Sequence, residues 1–133
     1  LKEKILIYFI FWYNQMKVLA IDDNSDILEL LKEVVISYNH EFSSSNNGKT
    51  GLEMIKNNSY DAVLLDLTMP EFTGVDVVDA LIADDILKDN KIILFTASTI
   101  LDESIAELIS KGVHSCIRKP VDVIHLIKIL ESL

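Results

Sequence analysis

Short apolar runs alternate along this chain with stretches whose apolar residues recur at helical spacing. The clearest run is Ala-Val-Leu-Leu at residues 62–65, which contains no polar position and ends just before Asp66. A continuous apolar run of this length is typical of a central strand that is buried on both faces, as in a parallel sheet covered by helices. The pattern therefore predicts a buried strand that carries one carboxylate to its C-terminal end.

The same alternation of strand and helix continues over most of the chain. The second predicted strand is polar enough to lie at or near an edge of a sheet. Each strand is followed by a segment with helical spacing. Besides the strand that leads to Asp66, strands are predicted at residues 17–21, 40–45, 91–95 and 113–117. Because parallel connections are right-handed and need a crossover helix, this order predicts an α/β fold. We expect a doubly wound, five-stranded parallel sheet in a three-layer (βα)5 sandwich.

Residues 1–15 depart from this pattern. Residues 5–13 form an unbroken apolar and aromatic run, about half of the roughly 20 residues that a membrane-spanning helix needs. Lysines precede the run, as in a signal peptide, but no small-residue cleavage site follows it. We expect residues 1–15 to be a leader or extension outside the domain, with Met16 as the natural start. An added strand, an interaction segment or a partial membrane anchor are the alternatives, and stable membrane insertion is not expected.

Length and composition limit the classes of function. Residues 16–133 have the length of one domain. The formal net charge of the chain is −9, whereas direct nucleic-acid binding usually needs a basic face. The single cysteine, Cys116, excludes an internal disulfide and fits a reducing compartment. We therefore expect a cytoplasmic protein that does not bind nucleic acid directly.

Chemically competent residues follow the predicted strands at their C-terminal ends. The first strand ends at Asp22 and Asp23, the third at Asp66, the fourth at Thr96 and the fifth at Lys119. Because ligands bind at the carboxyl ends of the strands in open α/β sheets, we expect these side chains to share one edge. Three carboxylates this close would repel one another. A hard divalent cation removes that conflict, and carboxylates together with waters suit Mg²⁺.

The other two groups at this edge favour phosphoryl transfer. Lys119 offers a positive charge on a flexible stem, which suits contact with phosphate oxygens. Thr96 offers a hydroxyl donor for an added phosphoryl oxygen. Phosphoryl transfer requires mainly positioning and charge neutralisation. A carboxylate such as Asp66 can serve as the nucleophile and form an acyl phosphate.

The ordered set of strand-end residues resembles the receiver domain of two-component response regulators. The resemblance covers residues 17–133 and rests on Asp22-Asp23, Asp66, Met69-Pro70, Gly74, Thr96-Ala97 and Lys119-Pro120. The complete set in this order is highly specific, whereas a lone Asp-Asp or Lys-Pro pair would be weak. It implies a flavodoxin-like, CheY-like fold and a phosphoprotein of a two-component pathway or phosphorelay, here expected to stand alone.

The resemblance also implies the ligands of a metal ion. Asp23 would bind Mg²⁺ directly and Asp22 mainly through water. The phosphoacceptor Asp66 and the backbone carbonyl of Thr68 would complete the protein's part of the site.

The remaining roles concern the phosphoryl group and the partners. Thr96 would turn toward the phosphoryl group, and Lys119 would hold its oxygens. A histidine kinase or a histidine phosphotransfer protein would be the donor, and a downstream protein would be the target. The receiver would catalyse its own phosphorylation and dephosphorylation without being an enzyme for a separate substrate. Thr68 and Ser98 match the variable positions that tune the dephosphorylation rate in the family.

One position departs from the family pattern. Members usually have Tyr or Phe three residues before the lysine, as a switch that responds to the phosphoryl group, and this chain has Cys116 there. A thiol cannot fill the pocket of a ring, so coupling from Thr96 should not follow the usual route. Arg118 is a second unusual residue, which would add positive charge near the site or point to solvent.

Two other functions compete with a phosphorylatable receiver. A receiver that is never phosphorylated could act as a binding module, but the intact set of strand-end residues argues against it. An aspartate-nucleophile phosphohydrolase would share the Mg²⁺ ion and the carboxylate. It would normally need an acid/base Asp two residues after the nucleophile, where this chain has Thr68, and it would need a substrate pocket.

Overall fold

A parallel sheet of five strands organises the chain. The computed structural model describes residues 1–97 and 99–133, apart from the side chains of residues 11 and 12. The strands are β1 (Lys17–Ile21), β2 (Glu41–Ser45), β3 (Ala62–Leu65), β4 (Ile92–Thr96) and β5 (Ser115–Arg118). Their order across the sheet is β2-β1-β3-β4-β5, and every pairing is parallel. The strand order reverses between β1 and β3, and ligand sites of doubly wound sheets lie beside such a reversal.

Six α-helices accompany the strands in the described part of the chain. They are α1 (Lys2–Tyr13), α2 (Ser25–Ser37), α3 (Gly48–Asn57), α4 (Gly74–Ala83), α5 (Asp102–Lys111) and α6 (Val123–Glu131), with a 3₁₀ turn at Leu87–Asp89. Side-chain caps start several of them. Asn24 accepts hydrogen bonds from the first backbone N–H groups of α2, and Thr73 forms a reciprocal capping box with Asp76 at α4.

The sheet is buried on both faces. Apolar side chains of α3, α4 and α5 pack against one face, and those of α2 and α6 pack against the other. All four residues of β3 are buried, and they alternate between the two clusters. The predicted doubly wound, three-layer sandwich is therefore confirmed, and β2 lies at an edge as expected.

The predicted start of β5 is wrong by two residues. We expected the strand to begin at Val113, but it begins at Ser115. Gly112 ends α5 with a φ of 122°, and the N–H of Val113 still donates to the carbonyl of Leu108. Val113 thus belongs to the end of the helix. Its hydrogen bond is part of a pattern that satisfies the last carbonyl groups of a helix. Between β2 and α3 the connection is short, because Asn47 caps α3 and Gly48 begins it.

The N-terminal segment is a helix. Helix α1 covers most of residues 1–15, so the alternative of an added strand is wrong for this segment. Its described apolar side chains are largely exposed, among them Tyr8 and Phe9. No helix within the described residues has the length and apolar character needed to cross a bilayer. The assignment of residues 1–15 as a leader outside the domain stays a prediction.

Candidate functional site

Three carboxylates meet at the C-terminal edge of the sheet. Ile21 and Leu65 are paired in the β1–β3 register, so the residues that follow them, Asp22 and Asp66, lie side by side. Asp22 is 2% exposed and Asp66 is 4% exposed. With the exposed Asp23 they can place one oxygen each within 4.8 Å of one another. The predicted convergence of these carboxylates is therefore found in the structure.

Backbone amides orient the two buried carboxylates. The N–H of Asn24 donates to Oδ1 of Asp22 at 2.9 Å, and the N–H of Thr68 donates to Oδ1 of Asp66 at 3.2 Å. The backbone N–H of Asp66 itself donates to the carbonyl of Ile21 at 3.0 Å. Each carboxylate thus has one oxygen held by the chain and a second oxygen directed to other partners.

Gly74 allows the chain to close tightly around Asp66. A Cβ at Gly74 would overlap the carbonyl oxygen of Asp66 and would lie 2.7 Å from Cα of Leu67. The N–H of Gly74 donates to the carbonyl of Leu67 at 3.1 Å. The start of α4 therefore packs directly against the backbone that carries Asp66, which is a close approach that only glycine permits.

Lys119 supplies the positive charge of the site. Its Nζ lies 2.7 Å from Oδ2 of Asp22 and 3.6 Å from Oδ2 of Asp66. The N–H of Lys119 donates to the carbonyl of Thr96 at 2.8 Å, which ties the residue to the end of β4. The Lys119–Pro120 peptide bond is cis. One ammonium thus faces two buried carboxylates.

Burial dominates the electrostatics of Asp66. Desolvation raises the pKa of its carboxyl group above the usual value, and the charge of Asp22 adds to this rise. The hydrogen bond from Thr68 and the charge of Lys119 lower the pKa but do not cancel the rise. The ionised carboxylate of Asp66 is therefore held at a cost in free energy, which an added cation would reduce.

Thr96 places an unused hydroxyl beneath this edge. The residue is fully buried, and its Oγ1 has no hydrogen-bond partner among the residues that the structure describes. An unsatisfied buried hydroxyl is costly, and such groups are few in native structures. The hydroxyl is thus available to an oxygen that arrives at the site.

The donor set fits a hard divalent cation. Asp22, Asp23 and Asp66 offer only oxygen atoms, and no other group of three acidic, His or Cys side chains with this spacing occurs within residues 1–97 and 99–133. Mg²⁺ prefers a few carboxylates supplemented by waters. The exposure of Asp23 leaves one side of the group open to solvent. The place of the Thr68 backbone carbonyl among the ligands stays a prediction.

Two unusual residues flank the site. Cys116 is half-buried against the cluster formed with α3, α4 and α5, and burial raises the pKa of its thiol. Arg118 does not simply point to solvent, because Nη2 lies 2.5 Å from Oδ1 of Asp102 and Nη1 lies 3.4 Å from the carbonyl of Ala97. It therefore links β5 to the start of α5. Ser98 lies outside the described residues, so its predicted role is not addressed by the structure.

One neighbour of Lys119 was missed in the sequence. The ring of Phe95 lies under the ammonium, with its centroid 5.4 Å from Nζ. The signal was present, since Phe95 is an aromatic residue directly before the strand-end threonine. Its contact with Lys119 depends on the pairing of β4 with β5, which only the fold reveals.

Comparison with known proteins agrees with this geometry. Residues 18–131 match the family model described as the response regulator receiver domain. The chain is 31% identical over 109 residues to the chemotaxis protein CheY-3 of Vibrio cholerae, covering 80% of this chain and 82% of that protein. It is 30% identical over 106 residues to the chemotaxis protein CheY of Pseudomonas aeruginosa, covering 79% and 85%.

A solved structure supports the same comparison. The response regulator protein TrrA of Thermotoga maritima, determined in complex with Mg²⁺-BeF, superposes with a TM-score of 0.74 at 28% identity. The superposition covers 87% of this chain and 96% of that one.

Proposed function

The chain belongs to the family of response regulator receiver domains, which are phosphoacceptors of two-component signalling, and on that premise we propose that Asp66 is its phosphoacceptor. The observation that carries the proposal is the placement of Asp66. It is a buried carboxylate grouped with Asp22 and Asp23, and its Oδ2 lies 3.6 Å from the ammonium of Lys119. This arrangement gives a nucleophile, a cation site and a fixed positive charge at one edge.

The reaction is a transfer of a phosphoryl group between two proteins. An oxygen of the ionised Asp66 attacks phosphorus, and the phosphorus–nitrogen bond of a phosphohistidine breaks, with its electron pair passing to the ring nitrogen. The ring then takes a proton from water. Lys119 orients the phosphoryl oxygens and offsets their charge, a role that suits a point charge on a flexible stem.

Asp22, Asp23, Asp66 and the carbonyl of Thr68 are the groups that would hold Mg²⁺. The bound ion would supply charge neutralisation for the carboxylates and the transferred group. A cation at this position would favour the ionised form of Asp66, which burial disfavours.

Thr96 gives the protein a response to phosphorylation. Its buried hydroxyl has no hydrogen-bond partner in the part of the chain that the structure describes, and it donates to a phosphoryl oxygen once that oxygen is present. Thr96 ends β4 and precedes the loop that leads to α5. Movement of Thr96 therefore shifts the equilibrium between two arrangements of the following loop and α5. This shift changes the surface that a downstream protein can bind.

The acyl phosphate is also expected to hydrolyse at the same edge. Water attacks phosphorus, the bond between phosphorus and Asp66 breaks, and inorganic phosphate leaves. Thr68 is exposed beside the site and so can influence the approach of water. The hydrolysis reaction does not favour the phosphohydrolase alternative, because Thr68 occupies the position at which that class of enzyme needs a second acid/base carboxylate.

The partners follow from this chemistry. The donor is a histidine kinase or a histidine phosphotransfer protein, and the receiver of the signal is another protein. A net charge of −9 opposes direct binding to nucleic acid. The single cysteine supports a reducing compartment, so we place the exchange in the cytoplasm.

The metal requirement tests the proposal. The purified chain is incubated with a small-molecule phosphodonor, with Mg²⁺ or with chelator, and the phosphorylated fraction is followed by intact mass. We expect a single phosphoryl group only with Mg²⁺, and a loss of at least about tenfold in rate for Asp23→Asn. The control is Asp79→Asn, which changes an exposed carboxylate on α4 and should match the unmodified chain. Equal rates in chelator and in Mg²⁺ would overturn the metal assignment.

A further inference from the structure

The aromatic ring beneath Lys119 has a place in the site that the strand-end residues do not explain. Phe95 is 1% exposed and belongs to the core cluster between the sheet and helices α2 and α6. The ammonium of Lys119 lies 5.4 Å from the ring centroid. This distance is within the range in which the negative face of a ring attracts a cation, about 6 Å.

The fold accounts for this contact. Phe95 is paired with Ile117 in the β4–β5 register, and Lys119 lies two residues after Ile117. Side chains two residues apart along a strand lie on the same face. The side chain of Lys119 therefore starts on the face that carries Phe95. The hydrogen bond from the backbone N–H of Lys119 to the carbonyl of Thr96 holds it there.

The ring differs from the other partners of Lys119 that the structure describes. The other two are the carboxylates of Asp22 and Asp66, at 2.7 Å and 3.6 Å. The proposed function commits both carboxylates to a divalent cation and to the phosphoryl group. Their oxygens are then shared with another positive charge. The ring binds neither group, so it remains available to the ammonium after the site is filled.

We propose that Phe95 is a positioning residue, whose ring holds the ammonium of Lys119 over the edge of the sheet while Asp22 and Asp66 are engaged elsewhere. The inference rests on the proposed function of Asp66 and Lys119. The ring of Phe95 would then be an electrostatic partner of Lys119 that lies in the hydrophobic core. Phe95 is 1% exposed and the side chain of Lys119 is 21% exposed, and a cation that is partly removed from water is held on a ring more strongly than a fully exposed one.

The test changes the charge distribution of the ring while keeping its shape. Phenylalanine analogues with one, two or three fluorines are introduced at position 95, since each fluorine makes the ring face less negative. Two quantities are measured with Mg²⁺: the affinity for beryllofluoride, followed by amide NMR, and the rate of phosphorylation by a small-molecule phosphodonor. The first is a binding measurement that needs no turnover.

Two controls separate electrostatics from packing. The same trifluorinated analogue at Phe42 alters a ring that packs against the same cluster from the edge strand β2. Thermal unfolding of every variant shows whether the core is intact. Phe95→Leu is a second variant, which removes the ring and keeps an apolar side chain.

We expect affinity and rate to fall stepwise with each fluorine at position 95, reaching about threefold to tenfold with three fluorines and as much or more with Phe95→Leu. The Phe42 analogue should match the unmodified chain. A flat series at position 95, with normal phosphorylation of the unmodified chain, would overturn the inference and leave the proposed function standing. Failure of the unmodified chain to bind beryllofluoride or to accept a phosphoryl group would overturn both.

Discussion

The ammonium of Lys119 lies closer to Asp22 than to Asp66: the Nζ–Oδ2 distances are 2.7 Å and 3.6 Å. Each oxygen of Asp22 already has one partner, because its Oδ1 accepts from the N–H of Asn24 and its Oδ2 accepts from Lys119. A cation that binds Oδ2 of Asp22 would share this oxygen with Lys119. We expect this sharing to weaken the bond between Lys119 and Asp22 and to let the ammonium approach Asp66, which we propose as the phosphoacceptor.

Replacing Lys119 separates cation binding from phosphorylation. Lys119→Met removes the charge that competes for Asp22, so we expect Mg²⁺ to bind roughly threefold to tenfold more tightly. The variant leaves buried carboxylates without their partner, and in chelator it should lose about 1–3 kcal/mol of unfolding free energy. Phosphorylation should slow by at least about tenfold, because the phosphoryl oxygens lose their positive partner.

Calorimetric titration, urea unfolding and phosphorylation rates measure these three effects. Lys49→Met is the matched control, since Lys49 is exposed on α3. A Lys119→Met variant that binds Mg²⁺ more weakly than the unmodified chain would contradict the competition that we infer from the two distances.

The raised pKa of Asp66 predicts a pH-dependent gain in stability for Asp66→Asn. Burial disfavours the ionised carboxylate, so in chelator the folded state gains from protonation of Asp66. That contribution is fully present below the usual pKa of an aspartate and is lost as pH rises through the raised pKa. Asn stays neutral throughout. The variant should therefore be the more stable form at neutral pH, and its advantage should vanish in acid.

Thermal unfolding in chelator across a pH series measures this difference. Asp79→Asn, which changes an exposed residue, should track the unmodified chain at every pH. An Asp66→Asn variant whose melting temperature is lower than that of the unmodified chain at neutral pH would show that the ionised carboxylate stabilises the fold.

The hydroxyl of Thr96, which has no hydrogen-bond partner within residues 1–97 and 99–133, predicts opposite effects on stability and on response. Thr96→Val keeps the shape and removes a buried donor without a described partner, so the fold should gain about 1 kcal/mol. The same variant cannot donate to a phosphoryl oxygen, so beryllofluoride with Mg²⁺ should stabilise it less than it stabilises the unmodified chain. Urea unfolding with and without the ligand measures both effects.

Thr96→Ser restores the hydroxyl and is the rescue control. It should recover most of the stabilisation by beryllofluoride, although it loses a methyl group from the core. Equal stabilisation of the Val and Thr forms by the ligand would contradict a role for this hydroxyl in the response.

The close approach at Gly74 predicts an unusual cost for a helix-favouring change. Replacing a helical glycine by alanine normally stabilises a helix by about 1 kcal/mol. At Gly74 the added Cβ would overlap the carbonyl of Asp66, so Gly74→Ala should instead destabilise the fold by about 2–4 kcal/mol. Urea unfolding measures the change. A stabilising effect would show that the chain carrying Asp66 can move away from α4 at little cost.

The order of elements was predictable from the sequence because strands and helices differ in the period of their apolar residues. β3 shows this most clearly, since its residues are all apolar and all buried. The convergence of Asp22 and Asp66 followed from one rule, that parallel strands end at the same edge. The start of β5 did not follow, because the helix-terminating hydrogen bond of Val113 depends on the left-handed conformation of Gly112.

Some contacts between residues that are distant in sequence could not be predicted from the sequence. The sequence placed Arg118 near the site, but its salt bridge with Asp102 depends on where α5 begins. Phe95 and Lys119 are far apart in sequence and meet only because β4 and β5 pair in one register. Cys116 was predicted to interrupt the usual switch, and the route from Thr96 to a partner surface stays a prediction.

Peptide mapping of the phosphorylated chain tests the central claim most directly. The chain is incubated with a small-molecule phosphodonor and Mg²⁺, digested in acid and mapped by mass spectrometry. We predict one base-labile, acid-stable phosphoryl group on Asp66, and none on the Asp66→Asn variant. A phosphoryl group on another residue, or equal phosphorylation of Asp66→Asn, would contradict the account.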